Sequence, residues 1–524
     1  MTAISLLCTL FNHPSLVDGY GIALVKTALL VVPVNTIASW QNEFSKWTTS
    51  LRPIMIYALH STPANHRESA VSQWCQRGGV MLLSKDSFPR YSKAHPSLQI
   101  PGPDILVLDE AHLMLANRNN VIYKALSNIQ TKRRLLLTGS PFQNNALEYY
   151  RMIHYMRPGV LDTSETLFER EFARPINSGM PSDATPAEKL ECNLKSKQLK
   201  NILAPYVHRK DSTVLQETLP PMQQVILHVR QTKLQSNLYK ALKRFEERKG
   251  ITSYLTRYQL AKPIHNHPAC LLMKASQAAE EDSDDSDTKE KRMWFDKKVQ
   301  KIGEDKMKAV EKGNKVVMLL HILTHSDLIG DKVVVFANCI KTLDFLEEAL
   351  QLCSWTDHAS TLAAAFPGTQ IGGWKKGREY LRIDGSDTSD QRGSLIKKFN
   401  QNEGRLSERA KCFLISAKAG GIGITLTAAN RVVCFDTHFN PTIMNQAVCR
   451  VYRYGQEKSV FVYRFLTEGT VSLLSLLRVF LVVILNAHAL YLKYVSFLQI
   501  FEYGRARKKY TNALSIKLGC HFEF

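Results

Sequence analysis

Asp109-Glu110-Ala111-His112 sets two carboxylates side by side where the apolar run DILVLD (104–109) ends. Such a run reads as a strand buried on both faces, and its C-terminal end would deliver side chains into the ligand crevice of an open α/β sheet. Paired carboxylates there suit a hydrated Mg²⁺ held by Asp109 and a water oriented and deprotonated by Glu110. A helix N-cap would use the same residues. Arg450 and Arg453 lie three apart, so on a helix they share one face. Two guanidiniums aimed at one point suit the charge that develops on a transferring γ-phosphate; a solvated face is the plainer reading. Gly420-Gly421-Ile422-Gly423 allows a tight turn and close approach to phosphate, as an ordinary strand-to-helix turn also would.

Two stretches could position these groups. Over 28–145, the runs ALLVVPV (28–34), VMLL (80–83), DILVLD and RRLLLT (133–138) are apolar and short enough for buried parallel strands. Between them lie helical spacings such as Ile37, Trp40, Phe44 and Trp47. A second series begins near residue 330: VVVFA (333–337), YLRID (380–384), CFLIS (412–416), RVVCFD (431–436) and VFVYRF (460–465). The reading is α/β, with two doubly wound parallel-sheet lobes and a mainly helical insertion between them. A cleft between such lobes is a natural nucleotide site. Residues 146–275 read as mainly helical and irregular. The acidic run EEDSDDSD (280–287) reads as a solvated linker or a phosphorylation site.

Lys and Arg outnumber Asp and Glu by 68 to 47, a formal charge of +21 that favours a polyanionic partner. The ten cysteines form no C-x-x-C pair, which argues against a zinc module or disulfide framework. The N-terminus has no basic region ahead of an apolar one, so no signal peptide is expected. From 471 to 501 the chain is nearly all apolar, but Arg478, Asn486 and His488 interrupt it. An Arg at mid-span costs about 2.5–3.5 kcal/mol, so a membrane span is not expected.

Taken in order, LLVVPVN (29–35), DEAH, LTGSPFQNN (137–145), GDKVVVFAN (330–338), YLRIDGS (380–386), ISAKAGGIGITL (415–426) and QAVCRVYRYGQ (446–456) resemble the motifs of Swi/Snf-like superfamily 2 motors. The resemblance covers roughly 2–470. APYVHRKDSTVLQETLPP (204–221) and HNHPACL (265–271) are similar to that family's insertion between lobes. Within the family, GGVMLLSKDSF (78–88), PGPDILVLDEAH (101–112), RPINSGMPSDAT (174–185) and 451–470 look closest to the ATRX-like branch.

The resemblance implies two RecA-like lobes and a DNA-dependent ATPase that translocates on double-stranded DNA, often against nucleosomes or other chromatin proteins, in the nucleus. ATP would be the only small-molecule substrate and Mg²⁺ its metal. By carry-over Asp109 and Glu110 serve metal and water, and His112 couples them to Thr138, Gly139 and Ser140. Arg450 and Arg453 reach the nucleotide from the second lobe, with Gln446 and Gly423 completing the site. Pro33, Asn35 and Ser416 are candidate DNA-backbone contacts. The implied organisation is a first lobe over 1–150, helical insertion and acidic linker over 151–315, second lobe over 316–470 and an atypical apolar tail over 471–524.

The pattern is broken in places. No G-x-x-x-x-G-K-[ST] run occurs among the 524 residues. In the family that phosphate-cradling loop lies shortly before motif Ia, so an N-terminal truncation and weak or absent turnover are expected. A catalytically dead DNA-binding or scaffolding relative is the alternative; a related RNA helicase fits less well with the long insertion and the R-Y-G-Q ending. Ala337-Asn338 stands where relatives often carry Ser-Gln, which puts a phosphate contact there in doubt.

Overall fold

The computed structural model describes residues 2–12, 25–48, 54–139, 146–161, 164–179, 184–208, 218–272, 303–352, 373–401, 409–420, 423–438, 441–468 and 492–496. Ser140, the acidic run 280–287 and most of the apolar tail lie outside them. By compactness the chain divides into two units, Met1–Asp211 with Ile422–Ile424, and Ser212–Gly421 with Thr425–Phe524.

The first unit is built on β1 (Thr27–Val32), β2 (Ile56–Ala58), β3 (Gly79–Ser84), β4 (Ile105–Asp109) and β5 (Arg134–Leu137). They form one parallel sheet in the order β2-β3-β1-β4-β5. Period-two alternation explains why these runs carry no polar face. Leu29, Val31, Met81, Leu83, Leu106 and Leu108 enter one core layer. Ala28, Leu30, Val32, Val80, Leu82 and Val107 enter the other. Trp74, on helix Arg67–Arg77, seals the first layer. Phe44, on helix Ile37–Trp47, seals the second. Each fully buried Val, Leu or Phe contributes about 1.5–3 kcal/mol. Helices Ala146–Met156 and Pro186–Leu203 pack around Tyr150, Phe168, Leu199 and Leu203 as a satellite cluster of this unit.

The second unit carries β6 (Met222–Val229), β7 (Val333–Ala337), β8 (Tyr380–Ile383), β9 (Cys412–Ser416), β10 (Arg431–Cys434), β11 (Val460–Thr467) and β12 (Leu492–Ser496). Their order is β12-β6-β11-β10-β7-β9-β8, again parallel throughout. Both units are thus parallel-sheet α/β lobes with helices, as the apolar runs imply.

Strand β6 differs from the expectation of a mainly helical 146–275. It pairs with β11 from Met222↔Val460 to Val229↔Thr467. Its sequence MQQVILHV interrupts the apolar run with Gln223, Gln224 and His228, although Ile226, Leu227 and Val229 are buried, and a partner far along the chain decides its conformation. Strand β12 lies inside the apolar stretch 471–501, beside β6. Among the described residues no helix is long and apolar enough to cross a membrane.

Both sheets reverse direction of winding at an equivalent place. The chain runs outward from β1 through β2 and β3 before returning to β4, and outward from β7 through β8 and β9 before returning to β10. The crevices at the C-terminal ends of β1/β4 and β7/β10 are therefore the switch points where open α/β sheets take ligands.

Candidate active site

In the first unit the switch point holds the carboxylates. Asp109 is the last residue of β4, with Leu137 of β5 opposite it. Its Oδ2 accepts the Trp40 indole N–H at 2.9 Å, and its Oδ1 accepts the Glu110 backbone N–H at 3.0 Å. The side chain is only half-buried. Glu110 turns the chain out of the strand with φ of 52°, the left-handed region that a non-glycine residue enters at a cost.

His112 opens the following short helix and is buried. Its Nδ1 shares a 2.7 Å hydrogen bond with Thr138 Oγ1, just past β5, and lies 3.4 Å from Glu110 Oε2. Burial pushes the imidazole pKa down to about 4, so the ring is neutral at pH 7 and its contact with Glu110 is not an ion pair. One ring therefore touches both the candidate water-activating carboxylate and the end of the next strand. Gly139 follows with open space where a Cβ would stand; Ser140 is outside the described residues.

At the end of β1, Pro33 is buried and its carbonyl caps the turn Val34–Thr36, accepting from Thr36 N and Oγ1 at 2.9 and 2.8 Å. Asn35 is half-exposed in that turn. Pro33 thus shapes the loop and leaves Asn35 as its more accessible polar group.

In the second unit Ser416 ends β9 and is buried; its Oγ accepts Ala419 N at 3.3 Å. Gly423 has φ of 73°, a conformation suited to glycine. Gln446 is carried by helix Pro441–Val448. That helix ends before Arg450, so the expected shared helical face is not what brings Arg450 and Arg453 together. They lie in a turn closed by Tyr452 N to Val448 O and Gln456 N to Arg453 O, each 3.0 Å. Gly455, at φ of 95°, takes the left-handed backbone at the end of this turn, a conformation suited to glycine. Both arginines are half-buried, and Arg453 Nη1 donates to Thr425 Oγ1 at 2.8 Å.

Sequence reasoning missed what holds this turn. Gln456 is buried and donates to Ala429 O at 2.7 Å and Val451 O at 3.2 Å, while its Oε1 accepts from Glu457 N and Lys458 N. The only local signal was the R-Y-G-Q ending. Trp40 was likewise read as an apolar helix residue; its indole N–H is bonded to Asp109. Asn338 spends its amide on Asp436 Oδ1 and Thr437 O, at 2.8 and 3.1 Å, which accounts for the doubt over a phosphate contact there.

The donor set around Asp109 fits Mg²⁺. It offers hard, half-buried carboxylate oxygen from Asp109 and Glu110, the donor type that Mg²⁺ takes. A small cation that keeps most of its waters suits one such carboxylate. The two sets of residues, carboxylates and arginines, belong to different units.

Residues 1–309 match the SNF2-related domain, and 314–455 match the helicase conserved C-terminal domain. The chain is 33% identical over 502 residues to Protein CHROMATIN REMODELING 20 of Arabidopsis thaliana, covering 85% of this chain and 32% of that protein. It is 30% identical over 575 residues to Helicase ARIP4 of Xenopus tropicalis, covering 90% and 40%. It is 29% identical over 557 residues to Transcriptional regulator ATRX of Homo sapiens, covering 85% and 22%. The chain therefore spans well under half the length of these relatives. The Sulfolobus solfataricus SWI2/SNF2 ATPase core in complex with dsDNA aligns over 85% of this chain and 78% of its own, at 22% identity and a TM-score of 0.33.

Proposed function

We propose, from the premise that this chain belongs to the SNF2-related family, that it is the core of an ATP-driven motor on double-stranded DNA. The observation that carries this reading is the path from Glu110 through the His112 ring to Thr138. A carboxylate that takes a proton from water, wired by one neutral ring to the end of a neighbouring strand, is what links hydrolysis to movement.

In this reading Asp109 would hold Mg²⁺, and the ion would supply positive charge that neutralises the phosphates of ATP. Glu110 orients the attacking water and accepts its proton. The fixed left-handed backbone at Glu110 aims that carboxylate before ATP arrives. Arg450 and Arg453, from the second lobe, donate to the same triphosphate and respond to charge that grows on the γ-phosphoryl group. Gln446 and Gly423 complete the contact. Loss of the γ-phosphate removes their common target, and Thr138 and Gly139 carry the change into the first lobe.

Asn35 is the preferred DNA-backbone contact of the first lobe, with Pro33 shaping its turn; Ser416 acts through the turn it caps. A chain of charge +21 should hold duplex mostly through phosphates, tolerating sequence and weakening steeply with salt. Chromatin is the setting that one relative's name, Protein CHROMATIN REMODELING 20, supports; nucleosomes as the obstacle and the nucleus as the place belong to this reading.

The second reading, duplex binding without hydrolysis, is favoured by one observation: these 524 residues contain no G-x-x-x-x-G-K-[ST] run. Tested alone, they are expected to bind duplex and release phosphate slowly. Duplex-stimulated turnover in the ordinary range of about 1–10³ s⁻¹ would overturn the expected weakness. Failure to bind duplex at low salt would overturn the DNA reading itself.

A further inference from the structure

Helix Tyr254–Asn266 carries Tyr258, Lys262 and Asn266 at intervals of four, which sets them on one face. All three reach the two residues Asp436-Thr437 that follow β10. Asn266 Nδ2 donates to Asp436 Oδ2 at 3.0 Å, and Lys262 Nζ lies 3.5 Å from the same oxygen. The Tyr258 hydroxyl donates to the Thr437 carbonyl.

Asn338, just past β7, supplies the rest of the clamp. Its backbone N–H and its side-chain amide both donate to Asp436 Oδ1 at 2.8 Å. The same amide nitrogen lies 3.9 Å from the Met444 sulfur. Met444 sits in helix Pro441–Val448, which carries Gln446 and leads directly into Arg450 and Arg453. Asp436 and Asn266 are 2% and 0% exposed. A carboxylate buried that deeply persists only because every oxygen is engaged, so its partners fix its place tightly.

We propose that the Tyr258–Lys262–Asn266 face is a positioning device. It holds the exit of β10, and through Asp436, Asn338 and Met444 it sets where the arginine-bearing segment stands. The helix belongs to the stretch between the two motif blocks, so a shift of that helix would move Arg450 and Arg453 without any change at the arginines themselves. The role assigned to the arginines rests on the motor reading above; the clamp does not.

The test combines amide hydrogen exchange with ATP turnover on duplex DNA, both on the 524-residue chain. Lys262→Met should speed exchange over 441–456 by roughly tenfold while β7 and β9 keep their protection. It should lower kcat about fivefold and leave KM for ATP within about twofold. Lys262→Arg, which keeps the cation, should restore both. Tyr258→Phe, which removes one hydroxyl at the far end of the face, should act in the same direction more weakly and guards against a variant that fails to fold. Unchanged exchange over 441–456 in Lys262→Met would overturn the proposal. So would acceleration across the whole second lobe that Lys262→Arg does not reverse, or a local exchange effect with kcat unmoved. A wild-type chain that never hydrolyses ATP would favour duplex binding without hydrolysis in these 524 residues, and the exchange pattern would still decide whether the helix positions the segment.

Discussion

Asp109 ends β4 beside β1, and Asp436 lies just past β10 beside β7; the matching strand orders make these equivalent stations in the two sheets. Asp109 is half-exposed and accepts from Trp40 and from its own neighbour's amide. Asp436 is buried and accepts from Asn338 twice and from Asn266, with Lys262 close by. The difference teaches that a switch point offers a place for chemistry without deciding its use. A half-exposed carboxylate can serve a metal. One whose lone pairs are all engaged has become scaffold.

This contrast is open to direct attack. Glu110→Gln, beside the accessible aspartate, should lower kcat by about 10²–10⁴-fold and leave Tm nearly unchanged; a large fall in Tm would show that the first station is scaffold too. Asp436→Ala should behave the other way. Taking one partner from a buried charged network costs about 3–5 kcal/mol, which denaturant melts of the second lobe would register. A stable Asp436→Ala with lost turnover would erase the distinction.

The coupling histidine gives a pH signature. Unfolded, its imidazole binds a proton near pH 6.5; folded, burial holds it off until about 4. The unfolded state therefore binds more protons in that window. The contribution is complete above pH 6.5 and is lost as pH falls toward 4, by roughly 2 kcal/mol between pH 7 and 5. His265 and His267, each pushed down to about 3 by burial, act with the same sign in the second unit. His112→Asn should flatten the dependence for the first unit only, read from pH-resolved melts by tryptophan emission. The smallest expected effect is Trp40→Phe. Losing one indole donor to a charged acceptor should cost about 1–2 kcal/mol of stability and loosen Asp109.

Strands read well from sequence where burial on both faces left no polar residue. VVVFA and CFLIS coincide with β7 and β9, because an unbroken apolar run of that length has few other uses. Ile56–Ala58 was too short to stand out. Met222–Val229 carries Gln223, Gln224 and His228 and becomes a strand only against β11. The Asp109-Glu110 pair stood out by residue type at a strand end, whereas the His112–Thr138 contact was expected only through the family resemblance. Spacing suggested a shared helical face for Arg450 and Arg453, but the helix ends at Val448 and they lie in the turn that follows. Nothing local announces that Asn266 meets Asp436, 170 residues away.

The indole bonded to Asp109 makes the first station optically visible. Trp40 Nε1 touches the very carboxylate assigned to the metal, so any redistribution of charge on that carboxylate must perturb the emission of this ring. Replacing the other five of the chain's six tryptophans would leave a built-in fluorophore that reports arrival at the site in real time, with no label attached.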